Sequence, residues 1–180
     1  MPELPDVEHL RRVLAAHGTG RRIDRVITTD AAILRNTTPE TLDAAARGHR
    51  FEEPARLGKW LIAWTTGPAV LFHFGMTGNL IPARNAVGRH RHDRTIFELD
   101  SGEIRYRNMR KLGGLWLAHD RAEADGLLTG LGPDALSLDR RRFADLLRAR
   151  RGRVKAVLMD QAVLSGVGNL VADEVLWHAR

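Results

Sequence analysis

The 180-residue sequence contains no cysteine, which excludes disulfide bonds and any zinc site built from four cysteines. Lysine is almost absent as well, because Lys59, Lys111 and Lys155 are the only lysines among 28 basic residues. Arginine supplies the remaining positive charge. The three lysines therefore indicate positions that need a compact point charge. Chance retention in an arginine-rich chain explains them equally well.

Long apolar segments are also missing. No run reaches the roughly 18 residues that a membrane-spanning helix needs, and no signal-peptide pattern precedes the first amphipathic segment. We therefore expect a cytoplasmic protein that does not bind membranes. The formal net charge of +6 indicates a polyanionic partner, and nucleic acid is the leading candidate.

The first 120 residues carry mainly strand patterns. Val7, Leu10, Val13 and Leu14 share one face of an N-terminal helix, which Gly18 and Gly20 should end. A short helix or turn is expected over 41–47. Strand-like runs, separated by turn signals such as TTGP and DSG, follow at 22–28, 61–65, 69–73, 95–99, 103–107 and 114–118. One helix with many short strands predicts a two-layer β-sandwich with a flanking helix over residues 1–120.

After Asp120 the pattern becomes helical. We predict a linker over 121–136 and a partial all-α domain over 137–180, which makes the fold class α+β. In the helical part, Phe143, Leu146 and Leu147 mark one helix and 154–161 a second. Asn169 is expected to cap a third helix.

The N-terminal sequence MPELPDVE carries the strongest chemical signal. Removal of the initiator Met would leave Pro2 with a free secondary amine, and an α-amino group titrates near pH ~8. Such an amine can attack a sugar's anomeric carbon and form an iminium, with the Glu3 carboxylate beside it. The structural alternative is that Pro5 opens a helix whose dipole Asp6 and Glu8 complement. That alternative leaves Pro2 and Glu3 unexplained.

Two further motifs have both a structural and a functional interpretation. SGVGN at 165–169 begins a helix, and its free N–H groups could bind a phosphate or serve an ordinary helix cap. His90, His92 and Asp93 could suggest a metal, but two histidines without a third ligand are weak support. We interpret the HDR segment as the structural start of a strand.

Taken in order, the motifs resemble the formamidopyrimidine-DNA glycosylase family, whose members begin PELPEVE. The resemblance covers essentially the whole chain. It continues through GKWL (58–61), HFGMTGNL (73–80), HDRTIFEL (92–99), IRYRNMRKLGG (104–114), LGPDAL (131–136) and VKAVLMDQAVLSGVGNLVADEVLW (154–177). Leu4 favours the branch that acts on purine lesions, because the endonuclease VIII branch typically has glycine there.

The resemblance implies a bifunctional base-excision repair enzyme, with glycosylase and abasic-site lyase activity on 8-oxoguanine and formamidopyrimidines. Pro2 would attack the sugar C1′, Glu3 would protonate the opening ring, and β,δ-elimination would nick the strand. The implied partner is damaged double-stranded DNA, bound by a monomer in the nucleoid-associated cytoplasm of a bacterium. No metal or organic cofactor enters this chemistry.

The resemblance also assigns roles residue by residue. The implied catalytic residues are Pro2, Glu3 and Lys59, and Lys59 also contacts phosphates. The implied DNA-binding residues are Asn169, which grips the lesion phosphate, and Lys155, Gly168, Arg110 and Lys111. Met76, Arg110 and Leu112 would fill the space that the extruded lesion leaves. Leu112 replaces an aromatic wedge and can insert between bases without stacking on them. Asp6 replaces a glutamate and is one methylene shorter.

Family members continue into a C-terminal zinc finger, whereas this sequence stops at Arg180. Two alternatives therefore stay open beside the purine glycosylase. One is a catalytically weak module that binds lesion or abasic DNA without the finger. The other is an oxidised-pyrimidine glycosylase of the endonuclease VIII type, which Leu4 disfavours.

Overall fold

The computed structural model describes residues 2–179 as two antiparallel sheets followed by a helical segment. The strands are β1 (Ile23–Thr28), β2 (Ala55–Leu57), β3 (Trp60–Ala63), β4 (Ala69–His73), β5 (Gly78–Ala83), β6 (Asp93–Leu99), β7 (Gly102–Asn108) and β8 (Gly114–Ala118). The helices are α1 (Leu4–Gly18), α2 (Pro39–Ala46), α3 (Arg121–Leu127), α4 (Arg140–Arg148), α5 (Val154–Met159) and α6 (Asn169–His178). No helix within residues 2–179 is long and apolar enough to cross a membrane.

The two sheets have the strand orders β1-β6-β7-β5 and β2-β3-β4-β8. Their inner faces share one core, in which the Phe72 ring of the second sheet lies 5.9 Å from Phe97 and 5.7 Å from Tyr106 of the first. Aromatic pairs at this separation stabilise a core beyond the area that they bury. The predicted two-layer sandwich is confirmed.

Helix α1 flanks this sandwich, as its sequence pattern predicts. Val7, Leu10 and Leu14 are buried in the same core, and Pro5 lies in the first turn, where a missing N–H costs nothing. Gly18 ends the helix, and Gly20 has a φ of 78°, a conformation that glycine adopts without strain. The Glu3 N–H donates to Asp6 Oδ2 at 2.9 Å, so the shorter carboxylate at position 6 still caps the helix start.

All six strand predictions hold to within two residues, and β4 and β8 match their predicted bounds. Two strands escaped prediction. β2 has only three residues, which is too short for a strand pattern to be recognised, and β5 carries Gly78 and Pro82, which normally signal a turn. Both strands pair through backbone hydrogen bonds that local sequence does not encode.

Residues 121–136 divide between the two halves of the molecule. Helix α3 packs on the outer face of the second sheet, where Ala124 and Leu128 are buried with Leu71. Asp134 instead pairs with Ser165, at the edge of the helical segment. That segment has its own core of Leu158, Leu164, Val167 and Ala172.

Candidate active site

The Glu3 side chain, only 3% exposed, caps the N-terminus of α6. Glu3 Oε2 accepts hydrogen bonds from the N–H groups of Gly168 (2.8 Å) and Val171 (3.1 Å). Glu3 Oε1 accepts one from the Leu170 N–H at 2.8 Å. A carboxylate at this end of a helix is stabilised by the free N–H groups and by the helix dipole. These hydrogen bonds, together with the one from the Leu4 N–H to the Gly166 carbonyl (3.0 Å), join the start of α1 to the helical segment.

Gly168 makes this contact possible. A Cβ at position 168 would lie 2.3 Å from Glu3 Cδ, which is far inside the range of contact between two carbon atoms. The φ of Gly168 is −121°, an ordinary value, so the position requires glycine for space alone. The DNA-binding role of Gly168 stays a prediction, and its close approach to Glu3 gives it a structural role.

The prediction that Asn169 caps α6 is wrong. The N-cap is Gly168, and Asn169 is the first helical residue. The reason is that Glu3, distant in sequence, already occupies the N–H groups that an N-cap side chain would satisfy. The Asn169 side chain is exposed at the start of α6 and is therefore available to a ligand.

Pro2 lies beside an open groove between α1, β5 and the start of α6. The groove has a volume of about 570 Å³, and the residues that line it include Pro2, Asp6, His9, Asn79 and Leu170. Pro2 is half-buried. Because Leu170 belongs to α6, the groove places Pro2 next to the helix that Glu3 caps. The sequence-predicted pair of Pro2 and Glu3 thus lies where the two domains meet.

Lys59 occupies the two-residue turn between β2 and β3 and is half-buried. Burial lowers the pKa of Lys59 below its ordinary value, although the negative charge of Glu3 opposes that shift. The lysine therefore lies within electrostatic reach of Glu3. Gly58, with a φ of 57°, allows the tight turn.

His73 is a site residue that the sequence analysis did not single out. It ends β4 directly opposite Trp60, with the two rings 5.0 Å apart. Burial, and secondly the positive charge of Lys59, lowers the pKa of His73, so its ring is neutral at pH 7. Its position as the first residue of HFGMTGNL was the available signal. A neutral imidazole beside Lys59 can donate one hydrogen bond to a bound anion.

The three residues predicted to fill a vacated base site lie on two touching loops. The Arg110 N–H donates to Thr77 Oγ1 at 3.1 Å, which joins the loop before β5 to the loop before β8. Met76 is 41% exposed and Leu112 is 54% exposed, and Arg110 is exposed beside them. Apolar side chains held at loop tips are suited to insertion between bases. Their roles stay predictions.

Lys111 and Lys155 differ from Lys59 because each forms an ion pair with an aspartate. Lys111 Nζ lies 3.0 Å from Asp30 Oδ2, and Lys155 Nζ lies 2.6 Å from Asp173 Oδ1. A DNA phosphate at either lysine would compete with that carboxylate. The DNA contacts of these two lysines stay predictions.

The HDR segment begins strand β6, as predicted. Asp93 is 1% exposed and accepts hydrogen bonds from Arg107 (2.6 Å) and from the His90 N–H (2.8 Å). Within residues 2–179 no group of three or more His, Asp or Glu side chains is arranged to hold a metal ion.

Comparison with known proteins accounts for both halves of the molecule. Residues 1–115 match the formamidopyrimidine-DNA glycosylase N-terminal domain, and residues 130–180 match the formamidopyrimidine-DNA glycosylase H2TH (helix-two-turn-helix) domain. The formamidopyrimidine-DNA glycosylase of Pseudomonas syringae pv. tomato is 37% identical over 182 residues, which cover 99% of this chain and 67% of that protein. The Symbiobacterium thermophilum protein of the same name is 38% identical over 187 residues, which cover 100% of this chain and 60% of that one.

Solved structures give the same result. A Lactococcus lactis relative bound to DNA that contains N7-benzyl-Fapy-dG superposes with a TM-score of 0.87 at 29% identity, covering 98% of this chain and 66% of that one. Its complex with abasic-site DNA has a TM-score of 0.86 at 29% identity, covering 97% of this chain and 66% of that one. These matches place the chain among DNA glycosylases. Within that class, it belongs to the formamidopyrimidine-DNA glycosylase family. The chain spans 60% to 67% of the length of these relatives.

Proposed function

We propose that this chain is a base-excision repair glycosylase and abasic-site lyase that acts on oxidised purines in double-stranded DNA. The supporting observation is that Glu3 caps the helix that begins with Asn169. This contact gathers the predicted nucleophile Pro2, the proton carrier Glu3 and the phosphate ligand Asn169 at one domain junction. We propose that the protein acts as a monomer in the bacterial cytoplasm.

The proposed chemistry begins at the Pro2 amine, which is free once Met1 is removed. Its lone pair forms a bond to C1′ of the lesion nucleotide, and the glycosidic bond breaks, with its electron pair leaving on the base. Opening of the sugar ring then gives a Schiff base between Pro2 and C1′. This group acidifies the C2′ proton, which Glu3 would accept as a carboxylate once it has protonated the ring oxygen, and β-elimination then expels the 3′ phosphate as leaving group. Loss of a second proton and δ-elimination expel the 5′ phosphate. All of these steps use groups of the protein itself.

Glu3 would provide the proton that opens the sugar ring. Its two oxygens are not equivalent, because Oε2 accepts two backbone hydrogen bonds and Oε1 accepts one. A carboxylate oxygen has two lone pairs, which leaves Oε1 with more capacity to carry a proton. The helix would hold Oε2 while Oε1 exchanges a proton with the substrate.

DNA binding would rest on Lys59 and Asn169, which approach the junction from different domains. Both are phosphate ligands in our proposal, and phosphate contacts position a duplex without reading its sequence. His73, neutral and beside Lys59, could add a hydrogen bond to the same phosphates. Met76, Arg110 and Leu112 would occupy the space left by the extruded base, which offsets part of the cost of unstacking it.

Borohydride trapping on a duplex with an abasic site tests the proposal. Reduction of the Schiff base should join the protein covalently to DNA and shift its mobility in a denaturing gel. A matched protein that retains an acetylated or extended N-terminus should give no adduct, because an amide nitrogen is not nucleophilic. Adduct formation by the blocked protein would exclude Pro2 as the nucleophile. Binding without any adduct would favour the alternative of a lesion-binding module.

A panel of lesion duplexes tests the substrate. We expect faster excision of 8-oxoguanine and formamidopyrimidines than of oxidised pyrimidines. The panel must include a pyrimidine lesion, since a Lactococcus lactis relative has been solved with DNA that contains an oxidised pyrimidine. Faster excision of the pyrimidine lesion would support the endonuclease VIII-type alternative.

A further inference from the structure

A buried ion pair connects the two domains close to Lys59. Arg56, on β2, binds Asp134 as a fork, with Nη1 2.5 Å from Oδ2 and Nη2 2.9 Å from Oδ1. The two side chains are only 7% and 11% exposed. Two parallel hydrogen bonds from a guanidinium fit the two oxygens of a carboxylate and fix their relative orientation, which a single hydrogen bond does not. Asp134 lies between α3 and α4, so the pair crosses from the sandwich to the helical segment.

The same pair holds the backbone of Gly58, the residue that precedes Lys59. The Gly58 N–H donates to Asp134 Oδ2 at 2.7 Å, and the Gly58 carbonyl accepts from Arg56 Nη1 at 2.9 Å. A Cβ at Gly58 would lie 2.8 Å from Ser165 Cβ, so the turn also packs directly on the hairpin before α6. Both polar groups of one residue are therefore fixed by two side chains that are themselves paired.

Asp134 is in turn fixed to the hairpin that carries Asn169. The Ala135 N–H donates to the Ser165 carbonyl at 3.0 Å, and the Ser165 N–H donates to the Pro133 carbonyl at 3.0 Å. Burial would raise the pKa of Asp134, but hydrogen bonds from Arg56 and from backbone N–H groups outweigh it and lower that pKa. Asp134 is therefore ionised at neutral pH, and its negative charge faces the Arg56 guanidinium.

We propose that Arg56 and Asp134 are positioning residues that fix the spacing between Lys59 and Asn169, so that both reach the phosphates of one DNA strand. Within residues 2–179 the pair makes no hydrogen bond or ion pair with Pro2, Lys59 or Asn169, and Arg56 also contacts Glu8 on α1 (Nε to Oε2, 3.4 Å). Its effect on Lys59 would pass through the backbone of the Gly58 turn and the hairpin. A lysine on a two-residue turn has a long flexible side chain, so its reach is set by how firmly the turn is held. The inference rests on the phosphate roles in the proposed function.

The test is the salt dependence of binding to a duplex that contains a tetrahydrofuran abasic analogue, followed by fluorescence anisotropy. Lys59→Ala should reduce the slope of log K for binding against log salt concentration by about 0.9, which is the contribution of one phosphate contact. Asp134→Asn should flatten it by a comparable amount, because the loosened turn no longer holds Lys59 in place. Adding Asp134→Asn to Lys59→Ala should cause no further flattening, since both act on one contact.

Two further variants keep the result interpretable. Asp134→Asn removes the stronger of the two carboxylate partners of the buried Arg56, which keeps only the Glu8 contact (Nε to Oε2, 3.4 Å), and could unfold the protein. The double variant Arg56→Met/Asp134→Asn, which removes both charges of the pair, should therefore reproduce its slope. Asp43→Asn is the matched control, because Asp43 also accepts a backbone N–H (from Val26, 2.7 Å) and pairs with an arginine, but at α2. It should lower thermal stability and leave the salt slope unchanged.

A wild-type slope in the double variant, or additive losses in the Lys59→Ala background, would overturn the positioning role and leave only a structural one. If that occurs while borohydride trapping still succeeds, the proposed enzyme stands and the positioning inference alone fails. Absence of trapping in the unaltered protein would instead refute the proposed function.

Discussion

Replacing Gly168 by alanine tests whether Glu3 depends on the bare N-terminus of α6. The added methyl carbon would lie 2.3 Å from Glu3 Cδ and 2.5 Å from Oε1, so the carboxylate has to move. Alanine meets no backbone strain at a φ of −121°. Displacement of Glu3 is therefore the dominant effect of the substitution.

The size of the effect follows from the hydrogen bonds that Glu3 makes. The carboxylate accepts three backbone N–H bonds and is 3% exposed. A hydrogen bond to a charged group contributes about 1.5–3 kcal/mol. Loss of two of the three would lower the free energy of unfolding by about 3 kcal/mol or more. Base excision should fall as well, because Glu3 would no longer be held beside Pro2.

Urea denaturation and single-turnover excision of a lesion duplex measure the two consequences. Gly126→Ala is the matched control, because a Cβ there meets no atom within 4 Å and the residue lies inside α3. That variant should gain about 0.5–1 kcal/mol, since alanine is the better helix former. Wild-type stability and wild-type excision in Gly168→Ala would refute the claim that α6 holds the Glu3 carboxylate.

Further substitutions test individual contacts of the site and the core. Glu3→Gln should retain DNA binding and lose base excision, because an amide cannot donate a proton as an acid; equal losses in anisotropy and excision assays would make Glu3 purely structural. Asn169→Ala should weaken binding across sequences without changing the salt slope, since the amide is neutral, and a changed slope would contradict this. Tyr106→Phe should cost about 1–2 kcal/mol in urea denaturation, because the hydroxyl donates to the His73 carbonyl at 3.0 Å and accepts from Asn108 Nδ2 at 2.8 Å. The pKa of Glu8 is lowered to about 2, chiefly by the hydrogen bond from Arg11, against an ordinary value of 4.5. Its stabilising effect is therefore complete above the ordinary pKa and lost as the pH falls toward 2, so Glu8→Gln should show a smaller drop in Tm across that range.

Sequence patterns predicted the sandwich because its core depends on local periodicity. The spacing of Val7, Leu10 and Leu14 defines one face of α1, and the apolar run of β4 defines a buried strand. Pro2 and Glu3 were also predicted as a site, because their chemistry is unusual at a chain start. Each of these signals lies within a few residues of sequence.

The contacts that assemble the site lie beyond such patterns. Nothing near Asn169 shows that a glutamate from the other end of the chain caps its helix, and this is why the capping prediction failed. Arg56 and Asp134 are 78 residues apart, and each looks like an ordinary surface charge in sequence. His73 similarly owes its neutral state to its burial and to Lys59 across the strand pair. Pairings of this kind depend on the tertiary arrangement of segments whose local sequences are independent.

The capping of α6 by Glu3 joins two residues that are synthesised at different times. Glu3 is made 165 residues before its hydrogen-bond donor Gly168. A nascent chain that has completed only the sandwich therefore carries a hydrated, unanchored carboxylate beside its terminal amine. Under the proposed mechanism, Pro2 would have a fixed proton carrier beside it only after the hairpin before α6 has been synthesised and has docked. The proposed chemistry at the first residues would then depend on a contact that forms late in synthesis.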